Sequence, residues 1–145
     1  MRKILFLDFD GVLHSDTCRE YFTKIDLLEK YLKQMPTLEI VISSAWRGSY
    51  DLDELKIIFS KKSLANRVVG ITPILDCSFQ KGGRQLEIQK FLEDEKLDQT
   101  NASWRALDDI AQFFYDDCPF LIKVDSAVGF SDKEGQALLQ WYQAT

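Results

Sequence analysis

Cysteine is scarce in this chain. Cys18, Cys77 and Cys118 are odd in number and widely spaced, and they form neither a C-x-x-C pair nor a Cys/His ligand pattern. A disulfide scaffold and a zinc site of that kind are therefore excluded, and reduced thiols in a cytoplasmic compartment are the expectation. No stretch approaches the roughly 18 uninterrupted apolar residues of a membrane span. The opening "MRKILFL" imitates a signal peptide, but Asp8 ends its apolar run after Ile4 to Leu7 and no small-residue cleavage site follows. Basic charge is also short: 18 Lys and Arg against 23 Asp and Glu leave a net charge of -5. That balance provides no general basic surface for phosphate backbones or anionic membranes, so any nucleic-acid contact must be a local patch. Repeats and low-complexity segments are lacking too.

What is present is a chain of 145 residues, 46% hydrophobic and 28% charged, the size and composition of one globular domain spanning residues 1–145. Strand-like and helix-like patterns alternate. Residues 3–9, "KILFLDF", are nearly continuously apolar and predict a strand buried on both faces. "KIDLLEKYLKQ" (24–34) places Ile25, Leu28, Tyr31 and Leu32 on one helical face, with Pro36 as the stop. Residues 38–44 read as a second buried strand, 51–59 as a short helix with Asp51 as N-cap, and 66–71 as a third strand. A helix is expected from Arg84 to about Glu95 after the flexible pair Gly82 and Gly83. Strands follow at 104–109 and 120–125, and Ser131 opens a last helix to about Tyr142. This order implies an α/β fold: a three-layer Rossmann-like sandwich with a mostly parallel sheet.

Ligands of such sheets sit beyond the carboxyl ends of the strands. There the sequence sets Asp8 and Asp10 after the first strand, Ser43 and Ser44 after the second, and Asp108 and Asp109 after a later one. Four carboxylates converging in one crevice repel one another unless a cation neutralises them, and all-oxygen ligands of this kind suit Mg²⁺.

The ordered set "DFDGVL", "VISS", a basic residue near "KGGR", and "ALDD" resembles the haloacid dehalogenase (HAD) superfamily of phosphohydrolases. In detail it resembles the HAD domain of Swiss Army Knife RNA repair proteins, through "DFDGVLH", "SSAWR", "VVGITP", "ALDD" and "GFSDKEG". The resemblance implies a Mg²⁺-dependent phosphatase. Asp8 would be the nucleophile that becomes an aspartyl phosphate, and Asp10 the general acid and base. Gly11 would let the backbone turn beneath the phosphate. Ser43, with the Ser44 amide, would bind phosphoryl oxygens, and Asp108 or Asp109 would hold Mg²⁺ with Asp8 and the Asp10 main-chain carbonyl. Both Lys81 and Arg84 are candidates for the fixed cation, and Arg84 is the favoured one: its spacing to Glu87 and Ile88 matches the smaller group, while Lys81 followed by Gly82 matches many other members. The implied substrate is a phosphomonoester, including a phosphorylated nucleic-acid end.

Other readings of the same residues stay open. D-x-D-G after a strand is also a common turn, Ser43 could simply satisfy a strand-end amide, and one acid of the 108/109 pair suits an N-cap. Trp46 and Arg47 could stack on a base and grip a second phosphate, or could be core packing and a surface salt bridge. His14 is expected to face solvent, Tyr21 and Phe22 to join the core, and Asp116 and Asp117 to lie in a solvated loop. Between Asp8 and Ser43 lie 34 residues, and between Ser43 and Arg84 lie 40, which leaves no room for a cap domain. A capless, open cleft admits bulky substrates. The rival class is a non-hydrolytic phosphate-sensing or regulatory module with a similar acidic pocket, and Asp10, which can activate water, favours hydrolysis over it. A third reading is a nucleic-acid-binding subunit with a vestigial site.

Overall fold

The computed structural model describes residues 1–17 and 19–144. Cys18, one of the three expected thiols, lies outside the described residues, and Cys77 and Cys118 are free. Five strands, β1 (Arg2–Leu7), β2 (Glu39–Ile42), β3 (Val68–Ile71), β4 (Ala102–Asp108) and β5 (Leu121–Lys123), form one sheet in the order β3-β2-β1-β4-β5. Every neighbouring pair is parallel. The helices are α1 (Ile25–Leu32), α2 (Leu52–Lys56), α3 (Lys62–Ala65), α4 (Gly83–Asp94) and α5 (Asp132–Gln143).

The near-continuous apolar character of β1 has the expected cause. Leu5 and Leu7 pack into a core shared with Leu28, Leu32, Leu55, Leu64 and Leu138, the inward residues of α1, α2, α3 and α5. Ile4 and Phe6 face the other way, into a smaller core with Ile88 and Phe91 of α4. The chain adds β2 and β3 on one side of β1, then returns through α4 to add β4 on the other side. That reversal opens a crevice beyond the carboxyl ends of β1 and β4, the usual ligand position of open parallel sheets.

Element boundaries differ from the sequence expectation for local reasons. β4 starts two residues early because Arg2 of β1 pairs with Ala102. The helix expected over 51–59 stops at Lys56, and a separate four-residue α3 follows. Asp51 and Ser131 are N-caps with complete capping boxes through Glu54 and Glu134. No helix among the described residues is long and apolar enough to cross a membrane.

Candidate active site

The strand ends are held in register by main-chain hydrogen bonds. The Asp8 amide donates to the Leu107 carbonyl at 3.1 Å, and the Ser43 amide donates to the Leu7 carbonyl at 3.0 Å. The first residues past β1 and β2 are thereby set beside the last residues of β4. Carboxylate oxygens of Asp8, Asp108 and Asp109 all lie within 4.8 Å of one another. Asp8 and Asp108 are buried. Gly11 has φ +75° and lies against Asp109, so a Cβ at this position would overlap the Asp109 carboxylate. The glycine is thus required both by the turn and by the acid packed on it.

One cation reaches into the cluster. Arg84, in the first turn of α4, donates from Nη1 to Asp108 Oδ2 at 2.7 Å and stands 3.4 Å from Asp8 Oδ2. Gly83 puts it there: a Cβ on residue 83 would collide with the Cys77 carbonyl, so only glycine lets α4 start this close to the preceding loop. Three carboxylates face one guanidinium, and the electrostatic consequence follows. Burial, reinforced by the Asp108 charge, pushes the Asp8 carboxyl well above the ordinary aspartate range despite Arg84. Burial likewise raises Asp108, against the pull of Arg84. Burial acts to lower Arg84, but Asp108 and Asp8 outweigh it and its pKa is raised. Two polar atoms here are buried without a partner, Asp109 Oδ1 and Arg84 Nε. An unmet acceptor among clustered oxygens fits a hard cation, and an unmet guanidinium donor beside it fits an anion.

Asp10 sits apart from this triad. Its side chain is 60% exposed, yet both oxygens are held: His14 Nε2 lies 2.8 Å from Oδ1, and Trp46 Nε1 donates to Oδ2 at 3.1 Å. His14 Nδ1 accepts the Phe22 amide at 3.2 Å. Because Nδ1 is the acceptor, Nε2 carries the hydrogen and donates to Asp10. The expectation of an exposed His14 is therefore corrected: the ring is 2% exposed and anchors a carboxylate. The i, i+4 spacing of His14 to Asp10 was the available signal, but its meaning depends on a turn that folds residue 14 back onto residue 10.

Other expected site residues separate. Arg84 is in the cluster, whereas Lys81 is exposed and pairs with Asp116, outside it. The donors of Arg47, a candidate for gripping a second phosphate, are directed into the protein. Its guanidinium is buried, donates to the carbonyls of Ser43, Ser44, Thr72 and Pro73 at 2.8 to 3.3 Å, and stands 2.7 Å from Glu87 Oε1 in an ion pair not aligned as a hydrogen bond. Glu87 itself accepts the Leu75 amide at 2.9 Å. Arg47 thus braces the turn after β2 from behind, and burial lowers its pKa although Glu87 opposes the shift. The Ser44 hydroxyl is occupied as well, accepting the Trp46 amide at 3.2 Å as the cap of a 3₁₀ turn, Ala45–Gly48. Ser43 is buried at the strand end. The N-cap of the 3₁₀ turn Ala111–Phe113 is Ile110, so neither acid of the 108/109 pair caps it; Asp108 Oδ1 instead accepts the Ile110 amide at 2.9 Å. Tyr21, expected in the core, is 64% exposed, while Phe22 is half-buried against the core. Asp116 and Asp117 are exposed as expected.

A five-stranded parallel α/β sheet in the order 3-2-1-4-5, with acids after its first and fourth strands and no cap, defines a HAD-type core. The chain belongs to the HAD domain family of Swiss Army Knife RNA repair proteins, whose match spans residues 4–134. No curated protein and no solved structure matches it.

Proposed function

We propose that this protein is a Mg²⁺-dependent phosphohydrolase that works through an aspartyl phosphate, with phosphorylated polynucleotide ends as its substrates. The observation that carries the reading is the convergence of Asp8, Asp108 and Asp109 around one position, with Arg84 bridging Asp108 and Asp8. Asp8, Asp108, Asp109 and the main-chain carbonyl of Asp10 would hold the ion. Bound there, Mg²⁺ would neutralise the carboxylates and draw charge from the phosphoryl oxygens.

The remaining chemistry belongs to the chain. An Asp8 carboxylate oxygen attacks phosphorus, the bond from phosphorus to the leaving oxygen breaks, and Asp10 delivers a proton to that oxygen. A water then attacks the phosphorus of the aspartyl phosphate, Asp10 takes its proton, and the bond from phosphorus to the Asp8 oxygen breaks, releasing phosphate and restoring both acids. Ser43, the Ser44 amide and Arg84 orient the phosphoryl oxygens. The hydrogen bonds from His14 and Trp46 keep the Asp10 carboxyl aimed while leaving it open to the cleft. The nucleic-acid end comes from the family, since RNA repair requires phosphates at strand termini to be processed.

The test is release of phosphate from p-nitrophenyl phosphate and from 5′- and 3′-phosphorylated oligonucleotides with Mg²⁺. Asp8→Asn should abolish turnover of every substrate, and Asp10→Asn should cost at least about 10²-fold. Turnover that persists in Asp8→Asn or after complete chelation refutes the reading.

A further inference from the structure

Beside Asp10 a group of aromatic rings at the edge of the core stays partly exposed. Tyr21 is 64% exposed and Tyr50 45% exposed, and both rings pack on the half-buried Trp46. Tyr50 stacks on Trp46 at 5.6 Å with an interplanar angle of 30°, and Tyr21 meets it edge-on at 5.4 Å. The same indole donates its N–H to Asp10. Asp10, Tyr21, Ala45, Trp46, Ser49 and Tyr50 line one open cleft of about 360 Å³.

We propose that this cleft is the leaving-group subsite and that it stacks the nucleobase of the terminal nucleotide; the inference rests on the phosphohydrolase reading and specifies its substrate. Asp10 protonates the leaving oxygen, so the group bonded to that oxygen must lie on the Asp10 side of the phosphoryl site, against these rings. The cleft has no charged residue other than Asp10. It has no cation to pair with an anionic leaving group; beside the polar groups of Asp10, Ser49 and the tyrosine hydroxyls it offers ring faces and edges. Bases stack on such faces with little regard to sequence. The rings also continue outward, from Trp46 in contact with Asp10 to Tyr50 one ring further, so the platform extends beyond the reacting oxygen as a base joined through a sugar requires. A phosphotyrosine ring, bonded directly to that oxygen, would lie on Asp10 itself. With a net charge of -5 the chain has no general basic surface for a long backbone. Recognition is accordingly of one end nucleotide: dependent on a base, tolerant of its identity and indifferent to strand length.

The experiment measures equilibrium binding to the 145-residue Asp8→Asn chain in Mg²⁺, which separates binding from turnover. The probes are 5′- and 3′-phosphorylated tetra-adenylate, the same oligonucleotides with an abasic terminal nucleotide, a 20-nucleotide strand with the same end, and a tyrosine-phosphorylated peptide. The base-bearing tetramer should bind about tenfold or more tighter than its abasic counterpart, and the longer strand should bind equally. Adding Tyr21→Ala or Tyr50→Ala should remove that preference, and Tyr21→Phe or Tyr50→Phe should retain it. Both tyrosines are exposed, and because Tyr21 also packs on His14 and Phe22, the phenylalanine variants, which keep the rings, control for lost packing. Equal binding of base-bearing and abasic ends, a preference unaffected by either alanine, or tighter binding of the phosphopeptide overturns the subsite. Turnover of p-nitrophenyl phosphate by the wild-type protein decides the hydrolase reading separately: activity with base-indifferent binding removes only the subsite, and base-dependent binding without activity removes the hydrolysis and the leaving-group role together, leaving a cleft that only binds nucleotide ends.

Discussion

Arg47 was a candidate phosphate ligand from its position, and the structure makes it a buried brace, which leads to a sharp prediction. In Arg47→Met the methylene stem is largely kept while the carbonyls of Ser43, Ser44, Thr72 and Pro73 lose their donor. Glu87, fully buried, is left with only the Leu75 amide. Removing one partner of a buried ion pair typically costs about 3 to 5 kcal/mol, because the remaining charge is uncompensated. For a domain of this size each kcal/mol lowers the melting temperature by about 3 °C, so a loss of about 12 °C is expected. Arg47→Lys should recover little, since a single ammonium cannot satisfy four carbonyls arranged around a planar fork. The double variant Arg47→Met/Glu87→Met should be more stable than Arg47→Met alone by about 2 kcal/mol, because no orphaned charge remains. Thermal and urea unfolding followed by circular dichroism measure all three. If Arg47→Met instead melts like the wild type and only raises KM for phosphate esters, the guanidinium faces substrate and the bracing argument is wrong.

Three further outcomes follow from the site. Asp8 and Asp108 have raised pKa values, so in chelator the folded state holds more protons than the unfolded state above the usual aspartate value of about 3.9; urea midpoints should fall as pH rises through that interval, Mg²⁺ should restore more stability at pH 7 than at pH 5, and an unchanged slope in Asp8→Asn would contradict this. Replacing the Asp10 anchor by His14→Phe keeps the ring but not the donor, and should lower kcat by about tenfold with little change in KM, a hydrogen bond to a charged group being worth about 1.5 to 3 kcal/mol; His14→Gln, which can again present an N–H, should recover part of the loss, and equal kcat values for wild type and His14→Phe would remove the anchor. Gly11→Ala should displace Asp109 and strain a left-handed turn, so the thermal shift produced by Mg²⁺ should largely vanish, whereas a wild-type shift would show that Asp109 is dispensable to cation binding.

The strand-end acids were legible because the information is local. An apolar run that ends on D-x-D-G states where a buried strand stops and a turn begins, and parallel strands bring such ends to one edge whatever the loop details. The alternation of strand and helix patterns settled the layers for the same reason: β1 is apolar on both faces because α1, α5 and their neighbours cover one and α4 the other. The preference for Arg84 over Lys81 rested on the family's spacing alone, and nothing local to the two residues explains it. Three residues of spacing become a difference in direction only once α4 starts at Gly83, which turns Arg84 inward and leaves Lys81 with Asp116.

Sequence alone determined the sheet, its covered faces and the acids at its edge, since periodicity and strand termination are properties of neighbouring residues. Tertiary structure alone decided which polar groups are spent on the scaffold and which stay free for chemistry. Arg47 meets Glu87 across 40 positions, and Trp46 meets Asp10 across 36. A buried charge or an indole N–H takes whatever partner the fold supplies, because leaving it unpaired away from water costs more than almost any local preference can offset.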